Sequence, residues 1–239
     1  ILLANGSVVT FGDNQYGQLG LSTTTTDTSR NVPSNVAVPG MMGSYNGTNA
    51  VGISCGRNHT AILLNNGTVC SFGHNQFGQL GDNTTMNTSD ATDLVFAAGY
   101  NGTNAVNIEL GRSDTTTILL SDGKVVTCGK NDDGELGGGG GVTGNQSQLV
   151  AVNAAPVGTM GAYDGTNAHT IARGSGTNSH AAILINTGKV FLYGKNNKSQ
   201  LGSDPTSGPT FYASIDNPTE LVSTGGMSSV YTGTEAALI

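Results

Sequence analysis

The sequence is poor in charged and aromatic residues, and it contains no tryptophan. Only 10% of its 239 residues are charged and only 5% are aromatic. Nine Lys and Arg residues stand against sixteen Asp and Glu, so the formal net charge is −7. Nucleic acids and anionic membrane surfaces are bound mainly through clustered Lys and Arg. We therefore expect neither a nucleic acid nor a membrane surface as a partner.

Long apolar runs are also missing, and no basic segment followed by an apolar one opens the chain. A helix that spans a bilayer needs about 20 mostly apolar residues, so we expect no membrane insertion. The first residue, Ile1, falls inside a predicted strand, and we expect the sequence to be part of a longer polypeptide.

The three cysteines, Cys55, Cys70 and Cys128, do not have the spacing of a metal site. Cys55 and Cys70 fall in one repeat unit, on strands that a third strand should separate. They either form a disulfide or pack as small hydrophobic residues, and the second interpretation is favoured. Cys128 takes a position that aromatic residues hold in the other units, which indicates core packing.

Glycine is abundant, at 37 of 239 residues, and much of it lies in a ten-residue turn that recurs four times. The copies, here called corners, read FGDNQYGQLG at 11–20, FGHNQFGQLG at 72–81, CGKNDDGELG at 128–137 and YGKNNKSQLG at 193–202. Glycine adopts positive φ at little cost, so glycines at fixed offsets predict a sharp turn, and the single Leu predicts an anchor in a core. The predicted structural anchors are Gly12, Gly17, Leu19, Gly20, Gly73, Gly78, Leu80, Gly81, Gly129, Gly134, Leu136, Gly137, Gly194, Leu201 and Gly202.

Each corner follows a predicted hairpin and precedes a polar loop. The hairpins turn at Asn-Gly, Asp-Gly or Thr-Gly, and the first two are strong hairpin signals. They span 1–11, 61–72, 117–128 and 182–193. The loops span 21–33, 82–92, 138–147 and 203–218. A short apolar segment after each loop predicts an outer strand, at 35–38, 93–96, 148–152 and 220–222.

A second signature, Tyr-Asn-Gly-Thr-Asn-Ala, precedes the next unit. It occupies 45–50 and 100–105, and 163–168 with Asp in place of the first Asn. Each copy leads into a short strand that ends near Gly, so one unit has four strands. The first strands are predicted at 51–56, 106–111, 169–174 and 230–233.

The corners begin 61, 56 and 65 residues apart, a period that suits one small antiparallel sheet per unit. The sequence therefore predicts an all-β protein, a β-propeller of four-stranded antiparallel blades. The predicted blades are 1–49 (partial), 50–104, 105–167, 168–228 and the start of another at 229–239. The two incomplete ends either belong to a longer propeller or close a four-unit ring, and the first is favoured because open strand edges are avoided.

Residues 56–81, GRNHTAILLNNGTVCSFGHNQFGQLG, resemble the regulator-of-chromosome-condensation repeat, and all four units match it at hairpin and corner. The resemblance implies a propeller of about seven four-stranded blades, more than this sequence contains. Founding relatives are nucleotide exchange factors for a small nuclear GTPase and bind chromatin through basic surfaces. Other relatives are secreted bacterial inhibitors of β-lactamase and repeats in large signalling or surface proteins. This chain is acidic, and its loops differ, so no exchange residue is carried over.

Two of the four histidines, His59 and His180, stand at the same repeat position, where Thr115 is found in another unit. Because Thr replaces a hydrogen-bonding His but not a general base, we expect these histidines to lock blades together. His74 stands where the other corners carry Asp or Lys, so that position accepts any polar group. No partner is predicted for His169.

The remaining candidate sites lack the spacing that their chemistry needs. The acidic stretch 131–135 lacks the alternating ligands of a calcium loop, and the glycine run 137–141 lacks the Lys-Ser/Thr of a phosphate loop. Serines and acids are scattered, so no catalytic set is predicted. We expect a protein that is not an enzyme and has no cofactor or metal.

The favoured function is a non-catalytic protein-interaction or scaffold propeller that binds a protein partner through its loops. The neutral surface, rich in Thr, Asn and Gly, favours an extracellular location or a cell or virion surface. Alternatives are self-association into a filament or surface coat by strand pairing, and nucleotide exchange on a small GTPase. Candidate glycosylation sites are Asn46, Asn83, Asn87, Asn101 and Asn145.

Overall fold

A computed structural model describes residues 1–22, 29–38, 43–95, 99–138, 148–154, 165–174, 180–198, 200–201 and 215–220. In these residues the regular structure consists of β-strands, arranged in four antiparallel sheets. The predicted all-β blade architecture is confirmed. No helix in the described residues has the length and apolarity needed to cross a bilayer.

Three of the sheets have four strands, each pairing with its neighbour in chain order. The second blade contains β3 (Ala50–Cys55), β4 (His59–Leu64), β5 (Val69–Gly73) and β6 (Thr88–Asp93). The third contains β7 (Ala105–Gly111), β8 (Thr115–Leu120), β9 (Val125–Gly129) and β10 (Gln148–Asn153). The fourth contains β11 (Ala168–Arg173), β12 (His180–Ile185), β13 (Val190–Gly194) and β14 (Ile215–Glu220).

The first blade has two described strands, β1 (Val9–Gly12) and β2 (Arg30–Asn35). A single bridge between Leu2 and Val8 stands where the other blades have their hairpin pairing. Backbone hydrogen bonds complete the predicted hairpin at 1–11: the Leu3 N–H donates to the Ser7 carbonyl at 2.8 Å, and the Val9 N–H donates to the Ile1 carbonyl at 3.0 Å.

The first strands of neighbouring blades contact one another, β3 with β7 and β7 with β11. These strands therefore lie innermost, and the outer strands β6, β10 and β14 lie farthest from that contact. All residues of β4 and β8 are buried, because a neighbouring blade covers each face of these strands. Apolar side chains of two blades form one cluster, in which Leu63 and Val69 of the second blade meet Ile108 and Ile118 of the third.

The outer strands begin earlier than three of the four apolar segments suggest. β2 and β6 end at Asn35 and Asp93, so the predicted strands at 35–38 and 93–96 are wrong. β14 begins at Ile215, and parts of the predicted loops 21–33, 82–92 and 203–218 are strand. Residues 221 and 222 of the predicted strand at 220–222 lie outside the described residues. The segment at 148–152 is correct. An outer strand pairs on one side only, so polar side chains are tolerated there, as in Thr88–Asp93.

The residue directly after three of the outer strands is apolar and buried, and at Val36 and Leu94 it misled the assignment. Val36, Leu94 and Ala154 are each at most 3% exposed. Their backbone N–H groups donate to the carbonyls of Val8, Val69 and Val125 at 2.9 Å, which continues each sheet past the end of its outer strand.

The three cysteines are free thiols. Cys70 and Cys128 are buried as expected, but Cys55 is exposed, so its assignment as a buried hydrophobic residue is wrong. Strand β4 lies between the strands that carry Cys55 and Cys70, as the sequence predicts.

Candidate protein-interaction face

The strand register places each corner at the same end of its sheet as the turn between the first two strands. Gly73 at the end of β5 pairs with His59 at the start of β4 and with Thr88 at the start of β6. We call this end the corner face: the corners 11–20, 72–81, 128–137 and 193–202 with the turns 56–58 and 112–114. The opposite end, the hairpin face, carries the hairpin turns and the second signature.

Every corner is held by an asparagine that the sequence analysis did not single out. Asn14, Asn75, Asn131 and Asn196 are each at most 5% exposed. In each corner the Oδ1 atom of this asparagine accepts a hydrogen bond from the backbone N–H of the anchoring leucine five residues on, at 2.9–3.1 Å. Its presence at the same position of all four corners was the available signal. The asparagine fixes the loop, and the leucine side chain fills the core.

The anchors lie where a turn and a core need them. Leu19, Leu80, Leu136 and Leu201 are each at most 4% exposed. Described glycines of the corner motif have positive φ, from about +64° to +113°: Gly12, Gly17, Gly20, Gly73, Gly78, Gly81, Gly129, Gly134, Gly137 and Gly194. Gly202 lies outside the described residues.

The last glycine of a corner is also where the next blade packs. A Cβ atom at Gly20 would lie 2.8 Å from the Phe72 ring, and one at Gly137 would lie 2.8 Å from the Tyr193 ring. Phe72 and Tyr193 are fully buried by this contact, whereas Phe11, at the same position of the first blade, is 55% exposed. Within the described residues, no corner covers Phe11.

Neighbouring blades are also joined by a hydrogen bond to the eighth residue of each corner. Thr60 Oγ1 donates to the carbonyl of Gln18 at 2.9 Å, and Thr116 Oγ1 donates to the carbonyl of Gln79 at 2.7 Å. In the fourth blade Ala181 stands at the equivalent position, so this donor is missing.

Arg173 supplies the missing donor from a different strand. Its guanidinium donates to the backbone carbonyl of Glu135 and to Thr115 Oγ1, and its Cζ atom lies 5.9 Å from the centre of the Tyr193 ring. Burial raises the pKa of the Glu135 carboxyl, and the positive charge of Arg173 opposes that rise. The guanidinium of Arg173 therefore replaces a threonine hydroxyl in this interface. The residues equivalent to Arg173 in the second and third blades are Cys55 and Leu110.

His59 makes the contact that the blade-locking hypothesis expects. It is 1% exposed, and its Nε2 atom lies 3.2 Å from Thr116 Oγ1 in the third blade. The Thr116 hydroxyl proton is already donated to Gln79, so Nε2 carries the ring proton and donates to Oγ1. Burial lowers the pKa of His59 to about 3, so the ring is neutral at physiological pH. His180 approaches Gly174 as His59 approaches Gly56, with its Cε1 atom 2.7 Å from a Cβ built at Gly174.

The third and sixth corner positions vary between blades and pair across each blade interface. Tyr16 packs against His74 with ring centres 4.6 Å apart. Lys130 Nζ lies 5.5 Å from the centre of the Phe77 ring. These partly exposed side chains form a row along the corner face, and each pair uses a different kind of interaction.

The third interface continues the row with an ion pair, between Lys195 Nζ and Asp133 Oδ2 at 2.9 Å. Asp132 of the acidic stretch pairs with Lys130 at 2.8 Å. The described part of the chain holds no group of three or more His, Cys, Asp or Glu side chains arranged to bind a metal ion. The glycine run beyond residue 138 lies outside the described residues.

The hairpin face has the opposite character, because its polar groups are used in its own turns. Asn101 Oδ1 accepts from the Thr103 N–H at 3.0 Å, and Asn104 Oδ1 accepts from the Asn101 N–H at 3.0 Å. Tyr100 Oη accepts from the Val69 N–H at 2.9 Å, which ties the second signature to the hairpin of the preceding blade. The first copy of the second signature has the same arrangement, with Asn46 and Asn49 in the turn and Tyr45 Oη accepting from the Val8 N–H.

The candidate glycosylation sites divide between the two faces. Asn46 and Asn101 are exposed on the hairpin face, with their Oδ1 atoms engaged as described. Asn83 and Asn87 are exposed in the loop after the second corner, where Asn87 Oδ1 accepts from the Asn75 N–H at 2.9 Å. Asn145 lies outside the described residues.

Models of the regulator of chromosome condensation (RCC1) repeat match residues 5–63 and 50–79. Over residues 5–79 the chain is therefore similar to this repeat family. Among relatives, the human protein described as probable E3 ubiquitin-protein ligase HERC4 is 32% identical over 142 residues, which are 58% of this chain and 12% of that protein. The RCC2 homolog of Danio rerio is 33% identical over 137 residues, 57% of this chain and 25% of that protein.

A solved structure with the same fold is that of Prp20p from Saccharomyces cerevisiae, studied for its binding properties to Gsp1p and histones. The TM-score is 0.68 at 20% identity, over 92% of this chain and 47% of the Prp20p chain. At that identity the likeness shows the fold alone. The chain spans less than half of the length of each of these three proteins.

Proposed function

We propose that this chain is a non-catalytic protein-interaction propeller whose corner face receives a protein partner. The observation that carries the proposal is the difference between fixed and variable positions within one corner. Asparagine, glycine and leucine recur because they build the turn, whereas the third and sixth positions change from aromatic to cationic to acidic. Side chains that fold the protein are thus separated from side chains that face solvent, and a rigid frame with variable, exposed positions is a common design for recognition.

The family supports this proposal in general terms, since Prp20p was studied for binding to two protein partners. The corner face offers aromatic and charged groups that are held in place by neighbouring blades. Aromatic residues at a partly exposed, well-supported position are frequent energetic centres of protein interfaces. Within the described residues, the Tyr16–His74 and Phe77–Lys130 pairs are the best candidates for such centres. We propose an extracellular or surface-exposed setting on composition alone.

The experiment is selection from a displayed random-peptide library on the immobilised chain, followed by binding of the selected peptides to variants. We expect Tyr16→Ser with Phe77→Ser to weaken most selected peptides by about tenfold or more, as loss of an interface centre does. The matched control is Thr48→Ser with Thr103→Ser on the hairpin face, which should leave binding unchanged. Peptides that depend on the hairpin-face pair instead would contradict the proposal.

Self-association is the second candidate, and one observation favours it. Phe11 is 55% exposed although the equivalent aromatic residues are fully buried beneath a corner of the preceding blade. A second copy could supply such a corner. Analytical ultracentrifugation over a range of concentrations tests this, with Phe11→Ser as the variant. A concentration-dependent increase in mass that Phe11→Ser abolishes supports self-association, and a constant monomer mass rejects it.

A further inference from the structure

Two arginines of neighbouring blades meet at the inner edge of the corner face. Arg57 follows β3 and Arg112 follows β7, each directly after a glycine. These are the innermost strands, and they contact each other. The backbone N–H of Leu110 donates to Ser54 Oγ at 3.0 Å, which fixes the two strand ends relative to each other.

Both arginines line one cavity of about 310 Å³, together with Cys55, Gly56 and Leu110. The wall therefore combines two guanidinium groups with the apolar side chain of Leu110 and a small thiol. The cavity lies between the second and third blades, so its shape depends on the same interface that His59 locks.

Neither arginine has a hydrogen-bond or ion-pair partner within the described part of the chain. By contrast, Lys124 pairs with Asp122 at 2.6 Å, and Lys130 pairs with Asp132 at 2.8 Å. The nearest acidic residue in sequence, Asp114, accepts a hydrogen bond from Gln79 Nε2 at 3.2 Å. In a chain with a formal net charge of −7, two exposed, unpaired guanidinium groups on one cavity form a local positive site.

We propose that the cavity between Arg57 and Arg112 binds the carboxylates of an acidic segment of the protein partner. The inference rests on the proposed function and adds the chemistry of the partner. Guanidinium groups are planar, stay charged at all physiological pH values and bind carboxylates through paired hydrogen bonds. Leu110 provides an apolar surface for the methylene groups of Asp or Glu side chains, which an inorganic phosphate does not have. Opposite charge also favours the encounter between the cavity and an acidic segment.

The test is fluorescence anisotropy with a fluorescein-labelled octapeptide of alternating Asp and Glu, and with an Asn-Gln octapeptide as the neutral control. We expect the acidic peptide to bind more tightly than the neutral one, and Arg57→Gln with Arg112→Gln to weaken its binding by about tenfold or more. Lys124→Gln with Lys189→Gln removes the same charge from the hairpin face and should change binding less than twofold. The urea midpoint of each variant checks that it is folded.

Cys55 provides a second readout, because it is the exposed thiol of the cavity whereas Cys70 and Cys128 are buried. Burial raises the pKa of both buried thiols, so they react slowly. The bound acidic peptide should slow modification of Cys55 by a thiol reagent, and the arginine variant should not show this protection.

Three results would overturn the proposal: equal binding of the acidic peptide to the folded arginine variant, unchanged Cys55 reactivity with peptide bound, or displacement of the peptide by equimolar inorganic phosphate. The last result would identify a phosphate site instead. If the acidic peptide does not bind while binding of the library-selected peptides still depends on Phe77, only the assignment of the arginine cavity is rejected. If those peptides also ignore Phe77, the proposed function is rejected.

Discussion

The two faces of the propeller use similar polar residues for different purposes. On the hairpin face the sequence Asn-Gly-Thr-Asn recurs, and its side-chain oxygens are taken up by hydrogen bonds within the turn and to the adjacent hairpin. On the corner face a buried asparagine and leucine hold the turn, and the positions between them vary. The comparison teaches that a repeated sequence marks structure on one face, and that variation inside a repeated frame marks the surface available for recognition.

The largest effect is expected on the hairpin face. Gly67 has φ of +81°, and a Cβ atom there would lie 2.1 Å from the carbonyl oxygen of Thr103. Gly67→Ala should lower the free energy of unfolding by about 3 kcal/mol or more, because backbone strain and a backbone clash add. Urea denaturation measures it.

Gly165→Ala is the matched control for that substitution. Its φ is +85°, but no atom of the described residues lies within 4 Å of an added Cβ. It should cost only the strain of a left-handed residue, about 1 kcal/mol. Equal losses for the two variants would show that close packing of the hairpin turn contributes nothing.

The next effect concerns the blade interface on the corner face that lacks a threonine donor. Arg173→Leu removes the donor to the Glu135 carbonyl and should cost about 2 kcal/mol, the usual scale for a hydrogen bond that involves a charged group. Ala181→Thr introduces the threonine that stands at this position in the second and third blades, as Thr60 and Thr116. In the Arg173→Leu background it should restore about 1 kcal/mol of the free energy of unfolding. The double-mutant cycle is measured from urea midpoints. Purely additive effects would contradict the claim that the Arg173 guanidinium takes the role of the threonine hydroxyl.

Acid should weaken the contact between the second and third blades. His59 has a pKa of about 3 in the folded chain and about 6.5 when unfolded, so the unfolded state binds more protons between these values. The contribution of His59 to the free energy of unfolding is therefore present above about pH 6.5 and decreases as the pH falls below this value. Between pH 7.5 and 5 the loss from this one group is about 2 kcal/mol.

The control for the pH effect is His59→Thr, which places in the second blade the residue found at this position in the third. The difference in unfolding free energy between pH 7.5 and 5 should shrink by that amount in the variant. An unchanged difference would mean that His59 does not stay neutral when buried.

The smallest effect is expected for the variable pairs of the corner face. A double-mutant cycle of Lys130→Ala and Phe77→Ala should give a coupling energy of about 0.5–1 kcal/mol, typical of a partly exposed cation over an aromatic ring. A coupling above 2 kcal/mol would place this pair among the structural elements, which would blur the distinction between fixed and variable corner positions.

The hairpins and corners were predictable from the sequence because their determinants are local. A glycine such as Gly67 or Gly137 is needed wherever φ is positive, and alternating apolar residues identify the strands on either side. The outer strands were misplaced because a strand paired on one side accepts polar residues, and Thr88–Asp93 reads like a loop. The buried Leu94 that follows it carries the apolar signal.

Roles that depend on the neighbouring blade were not predictable. Arg173 acts in place of a threonine eight residues further along the chain, at the position of Ala181, and only the packing of the fourth blade on the third reveals the exchange. The cavity between Arg57 and Arg112 likewise joins two residues that are 55 positions apart. The sequence of one repeat does not show which side chains of the next repeat pack against it.

Hydrogen–deuterium exchange of the chain, with and without a bound library-selected peptide, tests the division of the two faces most directly. The account predicts slower exchange at 56–58, 74–80 and 112–116 on binding, with no change at 65–68 and 100–104. Protection confined to 65–68 and 100–104 would contradict it.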